Sequence, residues 1–369
     1  PKTAWPAKTT LYSEPFGVVL VLAPWNYPVQ LLLTPLVGAI AAGNTVILKP
    51  SELASATEQL LVELIHNNFD PKHIAIIQAN AQETEQLLEE KFDFIFFTGS
   101  TNVGRSVMAK AAKHLTPVCL ELGGKSPCIV EESADLEVTA RRVVWGKFFN
   151  AGQTCVAPDY IYVPEKLKST FVLHLKKYIR EFYGENEKKS QDYGRIISEK
   201  HFNRLVSLLQ NSKILYGGDS DKSERFIAPT LVDVAGWQDP LMQEEIFGPL
   251  LPILGYQDLD ELIGLLQTKE KPLALYFFSK KNALIKKVLS SLSFGGGCIN
   301  DCLLQFSNSR LPVGGVGPSG MGKYHGKYSF DLFSNQKAIV QKPFWMDFSL
   351  RYPPYTESKL KWVKKILGD

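Results

Sequence analysis

Three side chains of this 369-residue chain have the types that nucleophilic chemistry needs. Cys155 lies in NAGQTCVAP, after an apolar helix-like stretch and among small residues that leave a thiol open to attack. A thiolate there is a nucleophile, although a free cysteine also serves as a small buried hydrophobe. Glu121, in ELGGKSP, ends an apolar run and is followed by two glycines. Its carboxylate could act as a general base; it could also pair with Lys125 or accept backbone N–H groups. Asn26, in APWNYP, stands between rigid prolines that could aim its amide at a developing oxyanion, or it is a turn residue. Two further loops suggest a phosphate ligand. FTGSTNVG at 97–104 resembles a phosphate-cradling loop without the central glycine. KPSE at 49–52 offers a cation and a carboxylate where a dinucleotide fold meets the adenosine ribose, and Ser51 there is also a good helix N-cap.

The elements that position these residues follow from the apolar pattern. Short runs at 16–22, 45–49, 74–79, 92–99 and 117–124 read as strands buried on both faces. Helix-like segments at 29–42, 53–67, 82–90 and 103–114 lie between them. Strand–helix alternation of this kind predicts an α/β fold with a doubly wound parallel sheet. Ligands of such sheets sit outside the carboxyl ends of the strands, where the loops 24–28, 49–52 and 99–104 fall. From about 123 to 322 the alternation is less regular, with strands expected at 160–163, 252–254, 273–278 and 297–300 and helices at 167–183 and 201–210. It reads as a second α/β domain.

Composition narrows the class of function. Apolar residues make up 45% of the chain and charged ones 21%, the balance of an ordinary globular protein rather than a disordered one. Forty-one basic and thirty-eight acidic residues are spread along the chain, so no basic footprint for nucleic acid exists. The five cysteines show no CxxC pair, which argues against a disulfide framework or a metal site and for a reducing compartment. Cys119, Cys128, Cys298 and Cys302 read as packing residues. The opening PKTAWPAK is no signal peptide, and a cytoplasmic location is expected.

In order and spacing, APWNYP, GNTVILKPSE, FTGSTNVGR, LELGGKSP, FFNAGQTC, QEEIFGP and PVGGVGPSGMG resemble the aldehyde dehydrogenase superfamily over nearly all of residues 12–340. CVAPDYIYV and KYHGKYSFDLFS look most like its class 3 group. The resemblance implies a dinucleotide-binding domain over 1–122, a catalytic domain over 123–322 and a segment 323–369 that returns to the cofactor domain and to dimer contacts. It implies Cys155 as nucleophile, Glu121 as general base and Asn26 as oxyanion donor. Lys49 and Glu52 match residues that hold the adenosine ribose, and Gly99, Ser100 and Gly104 belong to the pyrophosphate loop. Glu245 matches the carboxylate on the nicotinamide ribose, with Phe247 beside the ring and Trp25 also at the cofactor. Relatives carry several tens of mostly helical residues ahead of the position of Pro1, and loss of that segment here is the expectation.

By the same resemblance the substrates are medium or long aliphatic, or aromatic, aldehydes and the protein is a homodimer. Val313, Gln305 and Pro318 depart from common residues of the substrate side. NAD is the expected cofactor because Glu52 would bond a 2′-hydroxyl and repel a 2′-phosphate, with NADP left open. The tail SKLKWVKKILGD at 358–369 reads as an amphipathic helix, for subunit packing or for peripheral contact with a membrane. Two rival readings stand beside the dehydrogenase: a thiol-dependent esterase with idle dinucleotide loops, and a non-catalytic structural relative. An acylating enzyme that passes the thioester to coenzyme A would not need Glu121.

Overall fold

The computed structural model describes residues 6–367. Its first sheet has six strands in the order Gly320–Met321, Val118–Glu121, Phe94–Thr98, Val18–Leu22, Thr45–Lys49 and Ile74–Ile76. All pairings are parallel except that of Gly320–Met321. The helices Gln30–Ala41, Ser55–Asn68, Ala81–Leu87 and Thr101–Ala112 make the crossovers. The expected strands and helices of this half are all present, with ends that differ by up to three residues. Strand Val18–Leu22 shows why the apolar runs are continuous rather than alternating. Val19 and Val21 enter the core on one face of the sheet, and Leu20 and Leu22 enter the core on the other.

The second sheet has seven strands, in the order Gly296–Ile299, Ala274–Phe278, Pro127–Val130, Tyr160–Pro164, Leu250–Tyr256, Thr230–Asp233 and Lys213–Tyr216, with only the last antiparallel to its neighbour. Three of these, Pro127–Val130, Thr230–Asp233 and Lys213–Tyr216, are not legible in the sequence. Pro127–Val130 opens on a proline and follows the Glu121 strand so closely that the two apolar runs merge around the glycines. The other two are short strands whose partners are distant in sequence, so pairing rather than local pattern makes them strands.

The chain leaves the first sheet at Glu121, enters the second at Pro127 and is back in the first at Gly320. Strand Gly320–Met321 therefore lies in the sheet of the first segment, although the sequence reading places it within 123–322. From there the chain passes through helix Lys327–Leu332 to Ser334–Gln341, which pairs antiparallel with Lys8–Pro15. Fully buried Asn44 ties this return to the first domain. Its amide donates to the carbonyls of Ala39 (3.0 Å) and Phe333 (2.9 Å), and its oxygen accepts from Gly17 N (3.0 Å). The expected tail helix runs over Glu357–Leu367 and leaves Leu360, Trp362 and Ile366 exposed; Gly368 and Asp369 lie outside the described residues. No helix among the described residues is long and apolar enough to cross a membrane.

Replacing Asn44 by Ala strands the Phe333 carbonyl and the Gly17 N–H, while the Ala39 carbonyl keeps the backbone N–H of residue 44. The variant is expected to lose about 2–3 kcal/mol, read as a lower urea midpoint against the parent protein.

Candidate active site

The carboxyl ends of the strands of the first sheet face a cleft of 820 Å³ whose opposite wall comes from the second sheet and its loops. Cys155, Glu121 and Asn26 all line it, as do Trp25, Gly99, Ser100, Glu245 and Phe247. Gly104 stands behind that wall, buried in the helix Thr101–Ala112 against Leu122, where a Cβ would strike the leucine side chain. Lys49 and Glu52 stand beside it rather than in it. Lys49 is buried at the end of its strand and makes a 2.8 Å ion pair with exposed Glu52. Ser51 caps the turn that follows, accepting from Leu53 N at 3.4 Å, so the capping reading of KPSE holds as well.

The loop that leads to Cys155 is held in a strained path. Helix Leu136–Phe148, capped by Asp135, delivers the chain to Asn150 and Ala151, which adopt left-handed φ values of 51° and 52°. A left-handed alanine costs roughly 1–2 kcal/mol, which the surrounding bonds must offset. Asn150 Nδ2 donates to Asn26 O at 3.0 Å. Gln153 is the second anchor. Its amide donates to Asn150 O (3.1 Å) and Arg195 O (3.0 Å), and its oxygen accepts from Ile197 N (3.0 Å). Gly152 follows with φ 74°, and a Cβ there would collide with the Gly248 carbonyl. Tyr27 OH and Thr154 Oγ1 share a hydrogen bond of 2.5 Å.

Asn26 is joined to this loop directly, through Nδ2 to Gln153 O at 3.0 Å. An amide nitrogen carries two hydrogens, so one remains for a ligand. Its Oδ1 is buried without a partner among the described residues, and so is the Thr98 hydroxyl on the same cleft wall. Orphaned polar atoms at a cleft wall fit a polar ligand that completes them.

Electrostatically the site is dry and carboxyl-rich. Glu121 is only 3% exposed, and burial raises its carboxyl to about 8, against the opposing pull of Lys323. Glu245 is raised to about 8 as well, by burial and by the nearby Asp159. Burial, Glu245 and Glu121 together push the Cys155 thiol up to about 12, while its own N–H and that of Val156 work the other way. The thiol therefore keeps its proton at neutral pH until a base removes it. Lys125 does not pair with Glu121; it makes an ion pair with Asp159 and donates to Leu241 O (2.8 Å) and Glu244 O (3.0 Å). Asp159 in turn accepts from Ile246 N at 3.0 Å, and Arg204 donates to Ile246 O at 2.5 Å. These bonds hold the EEIFGP loop so that the Glu245 carboxyl lies over Gly123, at a distance only glycine allows. Phe247, at φ 51°, packs edge-on to Trp25 with ring centroids 5.5 Å apart. Cys119 packs in the core of the first sheet, as the sequence reading has it, and its thiol also donates to Glu121 Oε1 at 3.8 Å. Gln153, Asp159 and Lys323 lie within the motifs NAGQTC, CVAPDYIYV and KYHGKYSFDLFS, but the motifs gave them no role, because the groups they serve, at Arg195, Lys125 and Glu121, come near only in the fold.

The model of the aldehyde dehydrogenase family matches residues 1–339. The chain belongs to that family. It is 50% identical over 366 residues to the 4,4′-diaponeurosporen-aldehyde dehydrogenase of Staphylococcus aureus, covering 99% of this chain and 80% of that protein. It is 54% identical over 351 residues to aldehyde dehydrogenase family 3 member B1 of Rattus norvegicus, covering 94% and 75%. Among solved structures it matches the substrate-bound state of Staphylococcus aureus AldH with a TM-score of 0.96 at 49% identity, over 100% of this chain and 80% of that one. A Mycobacterium tuberculosis aldehyde dehydrogenase complexed with NAD⁺ matches with a TM-score of 0.81 at 26% identity, over 94% and 75%. The resemblance to class 3 aldehyde dehydrogenases is thereby upheld, the protein is an oxidoreductase, and its cofactor is NAD, with NADP admissible.

The cleft suits a dinucleotide: a helix capped by Ser100 opens on it after Gly99, and its walls carry the unpartnered Thr98 hydroxyl. A methyl group at position 123 would displace the Glu245 carboxyl. Gly123→Ala is expected to weaken NAD binding about tenfold, or about 1.4 kcal/mol by calorimetry, with thermal stability near that of the parent.

Proposed function

We propose that this aldehyde dehydrogenase oxidises medium or long-chain aliphatic, or aromatic, aldehydes to carboxylic acids through a covalent intermediate on Cys155. The observation that carries the reading is the meeting of Cys155, Glu121 and Asn26 in one cleft with unpartnered polar atoms on its wall. As the Cys155 sulfur attacks the aldehyde carbon, its proton passes to ionised Glu121. The free hydrogen of the Asn26 amide and the Cys155 N–H hold the thiohemiacetal oxyanion. Bound NAD supplies the hydride acceptor that leaves a thioester on the sulfur. Once Glu121 has released the thiol proton to solvent, it takes a proton from water, the resulting hydroxide equivalent attacks the thioester, and the acid leaves as the carboxyl returns that proton to the sulfur. Retention of Glu121 supports hydrolysis over transfer of the acyl group to coenzyme A.

In the cofactor region, Glu245 with Phe247 would face the nicotinamide end, Trp25 would lie close by, and Gly99 and Ser100 would meet the pyrophosphate, with Gly104 behind them letting the helix pack on Leu122. Lys49 and Glu52 would turn from each other to the adenosine ribose. Glu52 is exposed and, among the described residues, bound only to Lys49, so it can swing aside for a 2′-phosphate, which supports use of NADP beside NAD.

The test is reduced-dinucleotide absorbance with a panel of aliphatic and aromatic aldehydes and each cofactor. Turnover with aldehyde and NAD supports the reading; ester hydrolysis with no cofactor-dependent turnover would replace it with the thiol esterase. Asn26→Ala is expected to cut kcat about a hundredfold or more. Because Glu121 must be ionised to act, kcat is expected to rise with pH through about 8 and to level off above it.

The same reading makes the protein a cytoplasmic homodimer. Phe344, Trp345, Trp362 and Tyr355 are strongly exposed on the returning segment, which supports packing of that segment on a second copy. Sedimentation velocity is expected to show a dimer. A monomer that instead co-sediments with anionic vesicles, and loses this on removal of residues 358–369, would assign the tail to a membrane surface.

A further inference from the structure

Lys323 opens the KYHGKYSFDLFS motif, which gives it no role, yet the fold brings it to the carboxyl on which the chemistry turns. It follows the edge strand Gly320–Met321, whose register sets Gly320 opposite Glu121 and Met321 opposite Leu120. The chain then turns at Gly322, against Cys119, and half-buried Lys323 reaches back under the loop before it. Its Nζ donates to the carbonyl of Gly314 and lies 3.5 Å from that of Gly295. Gly314 is the separator. A Cβ built there would stand 3.0 Å from Glu121 Oε1 and 3.0 Å from Lys323 Cδ. Lysine and carboxyl therefore flank a stretch of backbone that carries no side chain.

The other titratable groups facing Glu121 are neutral at pH 7. Burial raises the Cys119 thiol on the same strand well above its ordinary range, and does the same to the Tyr324 phenol next to Lys323. Cys155, across the cleft, is raised to about 12. Lys323 is the cation that opposes the desolvation of Glu121, and it acts on Cys119 in the same sense. Lys125, the other lysine near this wall, is spent on Asp159.

We infer that Lys323 is a positioning residue for the general base: its ammonium, anchored on the Gly314 and Gly295 carbonyls, favours the ionised form of Glu121 that accepts the proton of the Cys155 thiol and later that of water. This rests on the proposed role of Glu121. Lys323 touches neither the thiol nor the acyl carbon, and no bond to substrate forms or breaks at it. It acts through the charge of the carboxyl.

The experiment is the pH profile of kcat for the parent, Lys323→Met, Lys323→Arg and Glu121→Gln. In Lys323→Met the alkaline rise is expected about one unit or more higher in pH, so that turnover at pH 7 falls roughly tenfold and recovers above the shifted rise. Lys323→Arg keeps the cation and its donors and is expected to return the rise to near the parent position. KM for the aldehyde is expected to be unchanged in both. A merely structural role would lower kcat at every pH, and that result would overturn the inference. A second reading is free of turnover: the infrared band of the protonated carboxyl that Glu121→Gln removes should persist to higher pH in Lys323→Met. If Lys323→Met does not fold, Lys323→Gln keeps a donor to Gly314 without the charge and reports the same displacement. Persistence of the alkaline rise in Glu121→Gln would overturn the role of Glu121 itself. Its loss there, with Lys323→Met at the parent position, would overturn the role of Lys323 alone.

Discussion

The Lys125–Asp159 ion pair holds the crossing between the two sheets. The residues Leu122–Ser126 carry the chain from the end of one sheet to the start of the other, and Glu121 lies on one side of that crossing with Pro127 on the other. Lys125, in the middle, is mostly buried and donates to Asp159 and to two carbonyls of the loop that carries Glu245. Asp159 uses its other oxygen for Ile246 N. Each charge is thus paired and hydrogen-bonded, the condition under which a buried ion pair is tolerated. Removing one partner would leave an uncompensated charge next to Glu245 and buried Lys147, whose ammonium burial already lowers to about 8. The pair specifies a geometry more than it adds stability: it sets the distance between a carboxyl ending the first sheet and a loop belonging to the second.

The dryness of the cleft has a cost that shows in its pH behaviour. Native Glu121 and Glu245 hold their protons to about pH 8, whereas an unfolded chain releases them near 4.5. Between those values the native state binds more protons than the unfolded one, so stability falls as pH rises through that window. The same desolvation keeps Cys155 as a thiol at rest, which protects it from indiscriminate reaction; in the proposed mechanism its activation then depends on Glu121. Reactivity, base strength and a tendency to lose stability toward high pH thus share one physical source.

Strain is stored in the same place. Asn150 and Ala151 in left-handed conformation, Gly152 against the Gly248 carbonyl and Phe247 at positive φ all lie within the loops that meet at the cleft. Their bonds run between the two sheets' segments, Asn150 to the Asn26 backbone and Asn26 to Gln153, and within the second, Gln153 to Arg195 and Ile197. The scaffold over-determines these loops, and the rigid sheets beneath them make that affordable.

Much of the architecture was legible in the chain itself. Continuous apolar runs such as TVILK at 45–49 marked strands buried on both faces, because a strand between two helical layers has no polar face to show. The ordered motifs around Asn26, Glu121 and Cys155 marked the family and the three residues that now line one cleft. What depends on pairing across the chain was hidden. Pro127–Val130 became a strand through its neighbours, Gly320–Met321 crossed back into the first sheet, Lys125 chose Asp159 over Glu121, and Lys323 arrived beside Glu121 through an antiparallel register. A local pattern reports which faces of an element meet solvent or core. Which charge meets which is decided only when the sheets close, since desolvation and the reach of a side chain depend on the whole surroundings and not on its neighbours in sequence.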